Sequence, residues 1–286
     1  MTVPDYISES FLHSLISTAL AEDIGDGDHS TLAAIPESAT KRARLLVKDN
    51  GVLAGVQLAV RIFKHYDEGL TIETYLGDGA KVKKGDVAFS VSGSSRSLLT
   101  TERLVLNCMQ RMSGIATKTD HLVQLISGTK AALLDTRKTT PNFRLLEKWA
   151  VVIGGGGNHR LGLFDMIMLK DNHTDMAGGI RQAINRTKEY LRAEKKVLRI
   201  EVETRNLDEV RQVLDAGGVD VIMLDNMSTG QMKEAIQLID GKCKSEASGN
   251  ITEETIRSVA ECGVDYISVG ALTHSVKSLD LSLKAY

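Results

Sequence analysis

The chain has 286 residues, of which 42% are hydrophobic and 25% charged, which excludes a disordered or fibrous protein and allows two domains or one large α/β unit with an appendage. A formal net charge of −2 excludes whole-molecule attraction to nucleic acid or to an anionic membrane, so anion binding has to come from local clusters. Aromatic residues make up only 4%, too few for base-stacking platforms, and neither nucleic acid nor membrane is expected as a partner.

Residues 5–22 carry Ile7, Phe11, Leu15, Ile16, Ala19 and Leu20 at helical spacing and predict an opening amphipathic helix. This segment has acids and no basic stretch before an apolar one, so it does not read as a secretion signal. The turn EDIGDGDHST follows; Asp23, Asp26 and Asp28 lack the ligand order of a calcium loop and fit a turn or helix cap. From about 40 to 95, short apolar runs broken by glycine (ARLLVKDNGVLAG, GLTIETYLGDGAKVKKGD, VAFSVSG) predict a small antiparallel β region. Helical periodicity returns from Leu104 to Ile126.

Beyond residue 130 one unit recurs: a short buried strand, polar residues at its end, then a helix. The strand ends are LLDTRKT (133–139), DMIMLKDNH (165–173), LRIEVET (198–204), DVIMLDN (220–226), KSEASGN (244–250) and DYISVGA (265–271). Helix starts are predicted at Thr140 with Pro141, at Asn206 with Glu209, at Ser228 with Gln231 and at Thr252 with Thr255. Strands alternating with helices imply a parallel sheet, either an incomplete barrel or a doubly wound sheet, and both place chemistry where strands end. No apolar run approaches the roughly 20 residues of a membrane span. Cys108, Cys243 and Cys262 form no CxxC pair and no metal-ligand spacing, which fits a reducing cytoplasm.

Between Thr136 and His173 lie six fixed cations, Arg137, Lys138, Arg144, Lys148, Arg160 and Lys170, against three acids, Glu147, Asp165 and Asp171. Arg144 and Lys148 are four apart on a helix with Glu147 and read as a solvated face. Arg137, Lys138 and Lys170 occupy strand ends and Arg160 follows the loop GGGGNHR (154–160); converging on one mouth, they suit carboxylates and phosphates. The glycines read as a hinge or a floor for an anionic ring next to His159. Glu201 and Glu203 share one strand face, and Asp225 ends a later strand; acids among cations can hold Mg2+ beside a phosphorylated substrate, or can simply neutralise neighbouring lysines. SGN (248–250) and VGA (269–271) put small residues at the last two strand ends, where backbone N–H groups can reach a phosphate.

EDIGDGDHST, TERLVLN, QRMSGIAT, DTRKTTPNFRLLEKWAV, GGGGNHRLGLFDMIMLKDNH, IEVET, IMLDN, ASGNI and VGALTHSVKSLDLSL together resemble nicotinate-nucleotide pyrophosphorylase (carboxylating), the quinolinate phosphoribosyltransferase family, over nearly the whole chain. The resemblance implies an N-terminal α+β domain at 1–112, an open, incomplete, seven-stranded α/β barrel at 113–271, and a helical tail at 272–286 packing back on the N-terminal domain. It implies a homodimer or larger assembly in which Arg103 reaches the partner's active site. Thr136, Arg137, His159, Arg160 and Lys170 match residues that bind the pyridine dicarboxylate, and Lys138 matches a lysine near the reacting groups. Glu203 and Asp225 match acids near ribose and magnesium, while Ser248, Gly249, Asn250, Val269, Gly270 and Ala271 match phosphate-binding turns.

Two departures stand out: DNHT has threonine where an aliphatic residue is expected, and AGGVD is one residue longer than AG-x-D. The implied reaction joins quinolinate to phosphoribosyl pyrophosphate with Mg2+ as cofactor, giving nicotinate mononucleotide, pyrophosphate and CO2 for NAD biosynthesis. The competing readings are a relative that acts on nicotinate without decarboxylation, a Schiff-base aldolase using Lys138 or Lys170, and a non-catalytic anion-binding protein.

Overall fold

The computed structural model describes residues 2–286, and the chain divides into two units that interleave along the sequence. The first comprises the chain up to Asp120 with Thr139–Gly155 and Leu272–Tyr286; the second comprises His121–Lys138 and Gly156–Ala271. The helix after the DTRKT strand groups with the N-terminal elements.

In the first unit, α1 (Glu9–Ile24) buries Leu12, Ile16 and Leu20, four apart on one face. α2 (His29–Ala34) starts at Asp28, whose carboxylate accepts from Thr31 N and the Thr100 hydroxyl, each at 3.0 Å; the acidic turn is a helix cap. Next come β1 (Thr40–Val47), β2 (Gly51–Val52), α3 (Val56–Tyr66), β3 (Thr71–Thr74), β4 (Lys81–Val82) and β5 (Val87–Ser94), then the long α4 (Ser95–Leu125). α3 corrects the reading of 40–95 as β structure throughout. Its Val56, Ala59, Ile62 and Phe63 recur at helical spacing and are buried, but so short an apolar run between glycines cannot be told from a strand by periodicity. Phe63 meets Phe89 of β5 edge-on, ring centroids 5.9 Å apart.

The repeating part supplies β6 (Ala132–Leu134), α5 (Arg144–Ile153), β7 (Ile167–Leu169), α6 (Asp171–Met176), α7 (Ile180–Ala193), β8 (Ile200–Thr204), α8 (Leu207–Ala216), β9 (Val221–Asp225), α9 (Thr229–Ile239), β10 (Lys244–Ser248), α10 (Ile256–Ala260), β11 (Tyr266–Ser268), α11 (Ala271–His274) and β12 (Leu281–Ala285). Six of these strands form one parallel sheet in the order β6-β11-β10-β9-β8-β7. Consecutive strands are neighbours and the last, β11, pairs with the first, β6, which is the cyclic order of a barrel; a doubly wound sheet would instead reverse at a central strand.

The strand count is corrected from seven to six. The remaining position is a single bridge in which Gly157 N donates to Leu133 O at 2.8 Å and Asp135 N donates to Gly157 O at 3.2 Å. A run of glycines has no side chains to pack on a pleated surface, so the bridge does not extend into a strand. Among the described residues no ladder joins it to β7, and the barrel stays open there.

The tail is corrected as well. After α11 the chain forms β12, whose Leu281 and Leu283 pair antiparallel with Val47 and Leu45 of β1, giving a four-stranded sheet of order β12-β1-β5-β3 in the first unit. Leu281 and Leu283 are buried with one residue between them, the period of a strand.

The caps predicted at Asn206 and Ser228 are present: Asn206 Oδ1 accepts from Glu209 N at 3.0 Å, and Ser228 and Gln231 make a reciprocal capping box. α5 and α10 begin later than predicted, at Arg144 and Ile256. The inserted glycine before β9 is taken up by Gly217 and Gly218, both left-handed, and Thr174 is buried with its hydroxyl donating to Asp171 O at 2.9 Å.

The solvated face predicted for α5 is not there. Glu147 and Lys148 are fully buried on a helix covered nearly all round, and Glu147 accepts from Arg111 at 2.8 Å and from the Thr140 hydroxyl at 2.9 Å. Arg144 is half-buried, with Nε donating to the Thr139 hydroxyl at 2.9 Å. Gly154 ends this helix against α4: a Cβ would lie 2.4 Å from Ala116 O. This first glycine of the loop is thus a packing position and not a floor for a ligand.

Candidate active site

In the second unit, residues paired in parallel register and residues two apart on a strand share a face. Glu201 pairs with Val221 and Glu203 with Met223; Glu246 also pairs with Met223, and Ser248 with Asp225. Glu201, Glu203, Met223, Asp225, Glu246 and Ser248 therefore line one side of the sheet, and their contacts sort the charged ones into two tiers. Glu203, Asp225 and Ser248 occupy the tier at the C-terminal strand ends, with Lys170 just past β7. Glu201 and Glu246 lie deeper.

The deeper tier receives His159. Asp135, fully buried immediately after β6, holds the incoming loop with both carboxylate oxygens: Oδ1 accepts from His159 N at 2.9 Å and Oδ2 from Asn158 Nδ2 at 2.7 Å. His159 Nε2 then lies 2.8 Å from Glu201 Oε2 and 3.5 Å from Glu246 Oε2, all three side chains being buried. Burial opposes the charged ring, but contact with Glu201 and Glu246 outweighs it and raises the His159 pKa to about 9. Burial, reinforced by the Glu246 charge, raises the Glu201 carboxyl above the usual carboxylate range, while His159 works the other way. The three groups bring ligand atoms within 4.8 Å of one another. At 2.8 Å the ring and the Glu201 carboxylate form a close buried ion pair when the ring is protonated.

In the outer tier, Lys170 Nζ donates to Glu203 Oε2 at 3.1 Å. Asp225 is raised by burial and by the Glu203 charge, against the hydrogen bond from Asn226 and the Lys170 charge. Two carboxylates drawn together at strand ends are a donor set for a hard cation bound through oxygen. Burial and the neighbouring Arg137 charge lower the Arg160 pKa; two guanidinium groups held close enough to repel suit an anion. Asp165 fixes the turn after Arg160, accepting from Leu161 N at 2.7 Å and Gly162 N at 2.8 Å. Thr136 is half-buried, and its hydroxyl accepts from the backbone N of the exposed Lys138 at 3.0 Å.

The turn after β10 is built with that after β9. Asn226 and Asn250 are left-handed, with φ of 54° and 50°. Asn226 Nδ2 donates to Asp225 Oδ2 at 2.7 Å, its Oδ1 accepts from Asn250 Nδ2 at 3.0 Å, and its N donates to Ser248 O at 2.9 Å. Gly249, φ 90°, has Asn226 where a side chain would stand: a Cβ would be 2.2 Å from Oδ1. After β11, Val269 is buried and its N donates to Leu134 O at 3.0 Å. Val269 thus shapes the turn leading to Gly270 and Ala271, its own N–H being engaged.

Arg103 is exposed on α4 in the first unit. Sequence reasoning gave no role to Asp135, Asn158, Asn226 or Glu246. The available signal was their position within DTRKT, GGGGNHR, IMLDN and SEASGN, each one or two residues from a residue that was singled out.

Comparison with known proteins supplies independent findings. The family described as quinolinate phosphoribosyl transferase matches through its N-terminal domain over residues 28–113 and its C-terminal domain over 115–284. The chain is 48% identical to a rice protein named nicotinate-nucleotide pyrophosphorylase (carboxylating), chloroplastic, over 96% of this chain and 77% of that one. Among solved structures, NadC from Streptococcus pyogenes superposes with a TM-score of 0.92 at 42% identity over 97% of both chains. Nicotinate-nucleotide pyrophosphorylase from Francisella tularensis superposes with a TM-score of 0.91 at 41% identity over 98% of both.

Proposed function

The chain belongs to the quinolinate phosphoribosyl transferase family, and we propose that it transfers the phosphoribosyl group of phosphoribosyl pyrophosphate to quinolinate, releasing pyrophosphate and CO2 and leaving nicotinate mononucleotide for NAD biosynthesis. The observation that carries this reading is the pairing of opposite electrostatic demands at one set of strand ends: Arg137 beside Arg160, and Glu203 beside Asp225 with Lys170 between. The cations suit a dicarboxylate and the acids a ribosyl centre that becomes positive as its bond to pyrophosphate loosens.

In this mechanism Arg137, Arg160, Lys170 and His159 hold the two carboxylates and fix the pyridine ring, with Thr136 and Arg103 of a second copy completing the pocket in a homodimer or larger assembly. The ring nitrogen attacks the anomeric carbon as pyrophosphate departs, a positioning reaction that requires no covalent enzyme intermediate. Glu203 and Asp225 stabilise the ribosyl cation. They would also hold Mg2+, which neutralises the leaving pyrophosphate when bound. Ser248, Gly249, Asn250, Gly270 and Ala271 offer the phosphate a turn of backbone N–H groups and small side chains, with Val269 holding the second turn in place.

Once ribosylated, the pyridinium accepts the electron pair left as the adjacent carboxylate departs as CO2, and a proton takes its place on carbon. To Lys138 we assign the task of stabilising that carboxylate or delivering the proton. Among the described residues no helix is long and apolar enough to cross a membrane; the three unpaired cysteines fit a reducing compartment, for which we propose the cytoplasm.

The test is product analysis with Mg2+, phosphoribosyl pyrophosphate and either quinolinate or nicotinate. Nicotinate mononucleotide with an equal amount of CO2, from quinolinate only, is the expected result; product from nicotinate, or none from either, overturns it. Chelation of Mg2+ should abolish turnover, and Asp225→Asn should raise the Mg2+ concentration required.

A further inference from the structure

We propose that Glu201 and Glu246 are positioning residues for His159, holding its ring charged and in one orientation beneath the basic pocket so that it acts as a fixed cation toward a dicarboxylate. The inference rests on the reading that His159 faces the pyridine acid, and it assigns a task to two core carboxylates that the reaction itself does not use.

The geometry is specific. Glu201 is the second residue of β8 and Glu246 the third of β10, on either side of β9. A pair of fully buried acids is costly in a sheet interior unless a cation answers them. His159 is the group in contact with both, at 2.8 Å and 3.5 Å. Asp135 fixes the backbone of the loop on one side, and on the other Nε2 lies within ion-pair distance of both glutamates.

Other groups near the ring do not take over this task. β9 presents Met223 to the same face. β6 presents Asp135, whose two oxygens are occupied by the loop. Arg160 is next in sequence and, with Arg137 close to it, disfavours a positive ring. The carboxylates outweigh burial, and the balance leaves the ring charged up to a pH of about 9.

A histidine that titrated near its ordinary value of about 6.5 would be mostly neutral in a neutral cell. A dicarboxylate would then meet two core carboxylates offset only by Arg160, which acts on Glu201. The charged ring screens them, and its fixed orientation offers the anion a donor that needs no reorganisation.

The experiment uses the full chain, Glu246→Gln as the isosteric uncharged variant and Glu246→Asp as the charge-keeping one. The His159 titration is read by NMR on histidine-labelled protein without substrate, the signal being assigned by its loss in His159→Asn. In the unaltered chain the ring should stay protonated to near pH 9. Glu246→Gln should lower that midpoint by about one unit, and at pH 8 should raise KM for the pyridine acid several-fold while kcat and KM for phosphoribosyl pyrophosphate change much less; a tenfold shift in protonation corresponds to one unit. Glu246→Asp should recover part of both effects.

Titration near pH 6.5 in the unaltered chain overturns the proposal, as does a Glu246→Gln protein whose midpoint and KM stay in place. Equal losses in every kinetic constant with an unmoved midpoint mark a purely structural role and also overturn it. The titration needs no turnover, so an unaltered chain that titrates near pH 9 yet fails to convert quinolinate removes the functional reading and leaves the positioning of the ring standing.

Discussion

Lys170 Nζ lies 3.1 Å from Glu203 Oε2, a cation at the end of β7 joined to an acid on β8. The lysine is half-exposed and the glutamate nearly buried, so the charged head reaches from the mouth into the acid tier. Lys170→Ala removes a charge-assisted partner worth about 1.5–3 kcal/mol and leaves Glu203 and Asp225 facing each other. A rise of roughly tenfold or more in KM for quinolinate, with a fall in kcat, is expected in steady-state kinetics. Lys170→Arg should recover only part, since a planar fork does not replace a point charge.

Stability should fall in alkaline solution through His159. Its folded pKa, about 9, lies above the ordinary value of 6.5, so the charged ring contributes fully below pH 6.5 and the contribution is lost as pH rises through about 9. The amount at stake is on the order of 3 kcal/mol, at about 1.4 kcal/mol for each unit. Urea unfolding between pH 6 and 10 should show this decline in the unaltered chain and a flatter profile in His159→Gln.

Asp135 is fully buried and both of its oxygens accept from the loop. Asp135→Asn turns one acceptor into a donor facing a donor, which costs about 1–3 kcal/mol for the group left unmatched. Denaturant unfolding should register that loss. The kinetic effect should exceed the stability effect, because His159 is displaced at the same time.

Gly249→Ala forces a side chain into φ 90° and into Asn226. The backbone conformation alone costs about 1–3 kcal/mol. Binding of phosphoribosyl pyrophosphate should weaken more than binding of quinolinate. Adding Asn226→Gly removes the clash and leaves the backbone strain, so the double variant should recover affinity in part; calorimetric titration of each ligand separates the two contributions.

The parallel strands were legible because each is a short apolar run that ends in charge, and the caps at Asn206 and Ser228 because a local side-chain bond leaves a local signature. The features that escaped depend on distant partners. Gly157 bridges Leu134 without any strand composition, and α3 is too short between glycines to declare its period. Lys148 carries a surface residue's charge in a fully buried place. In the site, Lys170, Glu203 and Asp225 were singled out and come together, as do Arg137 and Arg160. Asp135, Asn226 and Glu246 act through other residues, and composition has no term for that.

The pairing of β12 with β1 bears on how the chain is made. Residues 281–285 complete a sheet whose other strands lie between 40 and 94, while the six parallel strands are all contained between 132 and 268. During synthesis the parallel sheet has every strand available before the antiparallel one does. The earlier sheet must keep the edge of β1, with its buried Leu45 and Val47, without its partner strand until residues 281–285 have been made. The antiparallel sheet, whose strands at 40–94 come before the parallel ones, thus closes after them, and a chain interrupted before residue 281 would expose a bare edge strand of the kind that seeds aggregation.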